Sequence, residues 1–169
     1  NSNLSEHVAG LAKGLSTNII TVQGGTNFPH VREQQLEFLR KRTSTDFYVE
    51  LEGEVSFSNI VARVLQSRDC GTRIFASPID GCIFIRPESR VTDLPKLVFG
   101  DAPERIRQLD DIPSPYLTGL LDKFFDGRLV PFLETNRGCP FKCSFCVNNF
   151  YNELKKSHER PVRQKSVSY

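Results

Sequence analysis

Apolar residues recur at helix-like and strand-like intervals along the first 67 residues. Helical spacing over 4–15, 31–42 and 55–66 predicts three helices. Short apolar runs at 19–22 and 46–49 predict two buried strands between them. The order helix, strand, helix, strand, helix is typical of an α/β unit whose strands are parallel and joined by crossovers. On the first helix, five apolar residues share one face: Leu4, Val8, Leu11, Ala12 and Leu15.

The pattern changes over residues 68–128, which we interpret as a connector. Two β-rich runs at 71–76 and 81–86 surround the dipeptide Asp80-Gly81, and this predicts a hairpin. Cys82 within it is expected to be a packed core thiol. Asp110 and Asp111 precede a proline-rich turn, where carboxylates are expected to be solvated or to cap backbone groups rather than to form a catalytic pair.

Residues 129–169 begin with an alternating run at 129–135, which predicts a strand that leads into a cysteine-rich loop. A helix is predicted at 149–157. The basic tail at 156–165 is interrupted by a proline. It could bind phosphate, but we expect a frayed, solvated end.

Composition narrows the class of protein. Hydrophobic residues make up 38% and charged residues 25%, as in globular proteins. No apolar run is long enough for a membrane span, and a net charge of +2 argues neither for nor against binding of nucleic acid. Five cysteines, three of them clustered, favour a reducing compartment, so we expect the cytoplasm. Methionine is absent, also from position 1, which indicates a fragment of a longer protein.

The clustered cysteines are the strongest chemical signal. Cys139, Cys143 and Cys146 have the spacing Cys-x3-Cys-x2-Cys, with Phe145 directly before the last of them. Three thiolates on one loop can hold three irons of a 4Fe–4S cluster and leave the fourth iron open to a substrate or cofactor. Arg137 and Lys142 add positive charge that would favour thiolates, although both could be ordinary solvated cations.

Two other interpretations of the loop remain open. A structural zinc site needs a fourth ligand, which would have to be Cys70, Cys82 or His158, and none of these has the usual spacing. The thiols could also bind nothing and pack as small apolar groups. The residues between the cysteines, Pro140 and Lys142, are typical of a loop rather than of a core element.

The cysteine motif resembles the signature of radical S-adenosylmethionine (SAM) enzymes, in which the open iron binds SAM. Residues 1–67 resemble the second half of the cobalamin-binding domain that precedes the radical SAM barrel in one group of that family. The residues Ile112-Pro-Ser-Pro-Tyr116 resemble its connector. The resemblance implies that Cys139, Cys143 and Cys146 are cluster ligands and that Phe145 packs near the adenine of SAM. It also implies that two turns flank the nucleotide tail of the corrinoid, with Gly24 and Gly25 in one and Gly53 and Glu54 in the other.

The fold expected from the resemblance has three parts. Residues 1–67 form a partial flavodoxin-like (Rossmann-like) parallel sheet, 68–128 a β-rich linker, and 129–169 the first β/α unit of a truncated radical SAM barrel. The missing N-terminal strands should leave an apolar sheet edge exposed, so that the chain aggregates or pairs with itself.

The implied parent activity is reductive cleavage of SAM to a 5′-deoxyadenosyl radical, followed by methyl transfer from cobalamin or a related radical reaction. An electron donor such as flavodoxin or ferredoxin and a small-molecule or peptide substrate are the implied partners. Two alternatives remain. One is a methylthiotransferase-like radical enzyme, which normally needs three further cysteines where residues 1–67 contain none. The other is a cofactor-binding fragment that is inactive alone.

Overall fold

A four-stranded sheet organises the first of two units. The computed structural model describes residues 2–25, 27–50, 52–67, 72–92, 94–141, 143–146 and 162–166. The units are Asn1–Glu104 and Arg105–Tyr169. The helices and strands are α1 (Ser2–Leu15), β1 (Val22–Gly24), α2 (Arg32–Arg40), β2 (Phe47–Val49), α3 (Gly53–Gln66), β3 (Cys82–Ile85), α4 (Pro87–Arg90), β4 (Leu97–Phe99), β5 (Asn136–Gly138) and β6 (Val162–Gln164). Short 3-10 helices span Thr72–Phe75, Leu109–Asp111 and Asp122–Phe124.

The sheet of the first unit is mixed, in the order β1-β2-β3-β4. β1 and β2 are parallel, with Val22 opposite Phe47, whereas β3 is antiparallel to both β2 and β4. The three helices and the parallel pair predicted from the sequence are therefore confirmed. β1 starts later than predicted, because the carbonyl of Thr21 accepts hydrogen bonds from the amides of both Asp46 and Phe47 before the regular ladder begins. This mixed α/β arrangement is compatible with part of a Rossmann-like sheet.

The predicted hairpin between 71–76 and 81–86 is wrong. Residues 72–75 form a 3-10 helix, and β3 pairs instead with β4, whose residues are 97–99. β3 already has a neighbour on each side, so no edge of it is left for a strand at 71–76. Ile74 and Phe75 still enter the core from the 3-10 helix. Cys82 is a fully buried core thiol, as predicted.

Both faces of the sheet are covered, because successive residues of a strand point to opposite sides. Phe47 packs on one side in an aromatic group with Phe75 and Phe84, with ring centroids 4.9 and 5.1 Å away. Tyr48 points to the other side and stacks on Phe28 at 4.2 Å. These two apolar layers fix β1 and β2, and thereby the turns that follow them.

Helix α1 is attached mainly by polar contacts. Its predicted apolar face forms, but Leu4, Val8 and Leu11 are all more than half exposed. The carboxylate of Glu6 instead accepts hydrogen bonds from the loop before β2, and Lys13 forms an ion pair with Asp46 at 2.6 Å. Polar contacts, more than burial of its apolar face, therefore hold α1 in place.

The second unit lacks the strand predicted at 129–135. These residues are irregular, and Val130 and Phe132 are each 88% exposed. The amide of Phe132 donates to the hydroxyl of Tyr116, which in turn donates to the carbonyl of Phe132. The Tyr116 side chain thus occupies the backbone groups of Phe132 that would pair with a neighbouring strand in a β-sheet. The regular pairing is between β5 and β6, which are antiparallel. The first strand of a barrel is therefore not confirmed.

The basic tail is also more ordered than predicted. Within 156–165, the residues Val162–Gln164 form β6, so the expectation of a frayed, solvated end is wrong for this part. The predicted helix at 149–157 lies outside the described residues. No helix in the described parts of the chain is both long enough and apolar enough to cross a membrane.

Candidate cofactor sites

The cysteine loop starts directly after β5. Gly138, the last residue of the strand, has a φ of 96°, a value that a residue with a Cβ rarely adopts, and it turns the chain into Cys139. Three residues on from Cys143, the amide of Cys146 donates to the Cys143 carbonyl at 3.0 Å and closes a tight turn. The sequence thus places all three thiols on one short segment that begins at a sheet end.

The three thiols are free and accessible to solvent. Cys143 is exposed, and Cys139 and Cys146 are half-buried. Among the residues that the structure describes, no three His, Cys, Asp or Glu side chains lie close enough together to hold a metal ion. The donor set has the chemistry of an iron–sulfur site, but the loop has to close to bring the sulfurs together. Ligand sites that assemble only with their metal are common in metalloproteins.

The residues beside the three cysteines do not all have the surroundings that the sequence predicts. Arg137 forms an ion pair with Glu134 at 2.6 Å, which offsets the positive charge predicted to favour thiolates. Lys142 lies outside the described residues. The ring of Phe145 is 91% exposed, so it is open to packing by a ligand but is not packed within the chain.

The two predicted corrinoid turns meet at one end of the sheet. Gly24 ends β1 and is opposite Val49, the last residue of β2, because these strands are parallel and in register. A Cβ at Gly24 would lie 3.1 Å from the carbonyl oxygen of Val49, and one at Gly53 would lie 3.7 Å from its Cγ1. Glycine at Gly24 therefore allows a close approach to Val49, whereas the distance at Gly53 is an ordinary van der Waals contact that a Cβ would also make.

Gly25 and Glu54 complete these turns. Gly25 has a φ of 118°, which favours glycine, and its carbonyl accepts a hydrogen bond from the Tyr48 hydroxyl at 3.0 Å. Glu54 is the second residue of α3, where a carboxylate interacts favourably with the helix dipole. One of its carboxylate oxygens is buried.

A cavity of about 640 Å³ opens beside Gly24 and Gly25. Its wall is mostly apolar on the α1 side, apart from Ser5, and Thr21, Gln23 and Asn27 supply further polar groups. Gly53 and Glu54 do not line it, so the structure groups the first turn with α1 rather than with the second turn at this cavity. The volume suits an organic ligand of moderate size.

Sequence reasoning missed two contributors to this cavity, Phe38 and Tyr48. Tyr48 is central because its ring stacks on Phe28 while its hydroxyl holds the Gly25 turn. A tyrosine inside a buried apolar strand was the available signal, since a buried phenol usually finds a hydrogen-bond partner.

Comparison with known proteins identifies similar sequences. No family model matches the chain. It is 33% identical over 145 residues to the cobalamin-dependent radical SAM methyltransferase TokK of Streptomyces tokunonensis, a match over 82% of this chain and 19% of the relative. It is 31% identical over 145 residues to 2-(S-pantetheinyl)-carbapenam-3-carboxylate methyltransferase of Streptantibioticus cattleyicolor, again a match over 82% of this chain and 19% of the relative. It is 29% identical to an uncharacterized methyltransferase of Pyrococcus horikoshii, over 95% of this chain and 32% of that protein.

The chain thus spans about a fifth of the length of the first two relatives. The resemblance inferred from the sequence is confirmed by these matches.

Proposed function

The chain is a relative of the cobalamin-dependent radical SAM methyltransferases, and from that premise we propose that it supplies cofactor-binding parts of such an enzyme. In this proposal it holds a 4Fe–4S cluster and the nucleotide tail of a corrinoid. The whole protein performs SAM-dependent radical chemistry, either methyl transfer or a related reaction. Residues beyond the described ones would complete the SAM and substrate sites.

Cys139, Cys143 and Cys146 would hold the cluster. The observation that supports this most is three free, accessible thiols on one loop in a chain related to radical SAM proteins. When bound, the cluster supplies the electron that cleaves SAM, and a one-electron donor such as flavodoxin or ferredoxin would recharge it. Phe145, directly before the third ligand, would cover the adenine and keep water from it.

The turns at the end of β1 and β2 would hold the corrinoid tail. Gly24 and Gly25 line a cavity, and Gly53 with Glu54 opens α3 at the same end of the sheet. Ligands of open α/β sheets bind at the carboxyl ends of parallel strands, which is where these turns lie. The substrate could be a small molecule or a peptide.

Iron loading tests the cluster assignment. After anaerobic reconstitution, we expect Cys143→Ala to lose the 4Fe–4S cluster while its far-UV circular dichroism stays unchanged. Cys82→Ala is the matched control, because it removes a buried core thiol outside the loop and should keep full iron. Full iron in Cys143→Ala, or equal loss in both variants, would reject the assignment.

Corrinoid binding tests the turns. We expect hydroxocobalamin, followed by its visible absorption, to bind about tenfold more weakly to Gly24→Val, because the new side chain crowds Val49 and enters the cavity. Gly14→Val is the control, since a Cβ at Gly14 meets nothing within 4 Å. Equal affinity in the two variants would remove the first turn from the site.

A further inference from the structure

The second unit contains a cavity that neither predicted cofactor site uses. It measures about 710 Å³ and lies between the segment 105–110 and the strand β6 with Ser166. Three arginines line it: Arg105, Arg107 and Arg163. Arg105 and Arg163 are half-buried and Arg107 is exposed, so the cavity is open to solvent on one side.

Two further residues, Asp110 and Lys165, join the two walls of the cavity. Both carboxylate oxygens of Asp110 accept hydrogen bonds from the amide of Ser166, at 2.9 and 3.2 Å. The ammonium group of Lys165 donates to the carbonyls of Leu109 and Ile112, at 2.9 and 3.3 Å. Hydrogen bonds between residues about 55 positions apart in the chain therefore hold the two walls of the cavity together.

A contact with the opposite wall holds Arg163 in place. Arg163 belongs to β6 and donates to the carbonyl of Ile106, which lies between the other two arginines in sequence. Their three positive charges face one negative charge in the lining, that of Asp110, which leaves a net charge of +2. The hydrogen bonds from Ser166 also lower the pKa of Asp110, so that its carboxylate is already engaged within the protein.

We propose that this cavity binds the phosphate group of a small molecule. A guanidinium carries five N–H donors in a planar fork that matches phosphate oxygens, and a phosphate dianion complements a net charge of +2. A cavity of this volume holds a ligand of small-molecule size. A carboxylate uses the same donors but carries one charge, so it binds more weakly here.

Titration of the full chain with inorganic phosphate, followed by calorimetry at constant ionic strength, tests the proposal. We expect saturable binding of one phosphate and about tenfold weaker binding in Arg107→Gln, the loss of about one charge-assisted hydrogen bond. Arg107 is the deciding variant because it is the exposed arginine of the three, so that its replacement disturbs the packing least. Arg128→Gln is the control, because Arg128 is an exposed arginine of the same unit that does not line the cavity.

Acetate at the same ionic strength separates phosphate recognition from general attraction of anions. We expect acetate to compete only weakly with phosphate. The proposal is overturned if phosphate does not saturate, if both arginine variants weaken it equally, or if acetate displaces it as well as phosphate itself does.

Discussion

Replacing Glu6 by alanine should detach helix α1 from the sheet. Glu6 lies on α1, and its carboxylate accepts hydrogen bonds from the amide of Ser44 and the hydroxyl of Thr45, both at 2.7 Å. It also accepts one from the side chain of Gln23 at 3.2 Å. Because the apolar face of α1 is largely exposed, these bonds carry much of its attachment.

The magnitude follows from the two short bonds. A hydrogen bond to a charged group contributes about 1.5–3 kcal/mol, and water replaces part of it at a half-buried site. The hydroxyl of Thr45 is on a residue only 1% exposed, so it loses its acceptor without easy access to water. We therefore expect a loss of about 2–4 kcal/mol in the free energy of unfolding. A helix of 14 residues is marginal alone, so α1 should also lose helicity.

Urea unfolding followed by circular dichroism at 222 nm measures both effects. Glu104→Ala is the control, because Glu104 is exposed in an irregular segment and its removal should change stability by less than about 0.5 kcal/mol. If Glu6→Ala and Glu104→Ala are equally stable and equally helical, the polar attachment of α1 is refuted.

Three further predictions concern single residues. Gly81→Ala should destabilise the first unit by about 2–4 kcal/mol, because the φ of Gly81 is 78° and a Cβ there would lie 1.8 Å from the hydroxyl of Ser56. Thermal unfolding measures this loss, and an unchanged midpoint temperature would contradict it. Burial raises the pKa of Cys82 from 9.0 to about 12. The protonated thiol therefore stabilises the fold fully below about pH 9, and this stabilisation is lost as the pH rises towards 12. At pH 8, iodoacetamide should therefore label Cys143 long before Cys82 in peptide mass spectra, and the reverse order would be inconsistent with the burial. Hydrogen bonds from Ser166 lower the pKa of Asp110 below 3.8, so the contact persists above that pH and is lost as the pH falls through the lowered pKa. The Ser166 amide resonance should titrate with a midpoint below 3.8, whereas a midpoint above it would argue against the contact.

Local periodicity predicted the part of the fold in which each element is adjacent to the next. The helices and the parallel pair β1 and β2 follow this rule. The hairpin failed because β3 pairs with 97–99 across an intervening helix, and nothing in the run 71–76 shows that its apolar residues enter the core from a 3-10 helix. The strand at 129–135 failed because alternation predicts an extended shape but cannot supply a partner strand.

The candidate cofactor sites were predicted from the sequence, whereas the arginine cavity was not. Fixed spacing and glycine turns predicted Cys139, Cys143, Cys146, Gly24 and Gly25 as cofactor contacts, and these assignments stay predictions. The arginine cavity was not readable, because its walls come from segments about 55 residues apart, and only pairing of β6 with β5 converts a basic tail into a cavity wall. The proposed closed arrangement of the three thiols would form only with a bound cluster, which spacing alone does not position.

The most direct test of the central claim is electron paramagnetic resonance of the anaerobically reconstituted and reduced chain, recorded with and without SAM. The account predicts about four irons per chain and a 4Fe–4S signal that changes when SAM is added, because three cysteine ligands would leave one iron open. A chain that retains zinc and forms no iron–sulfur signal would contradict the account.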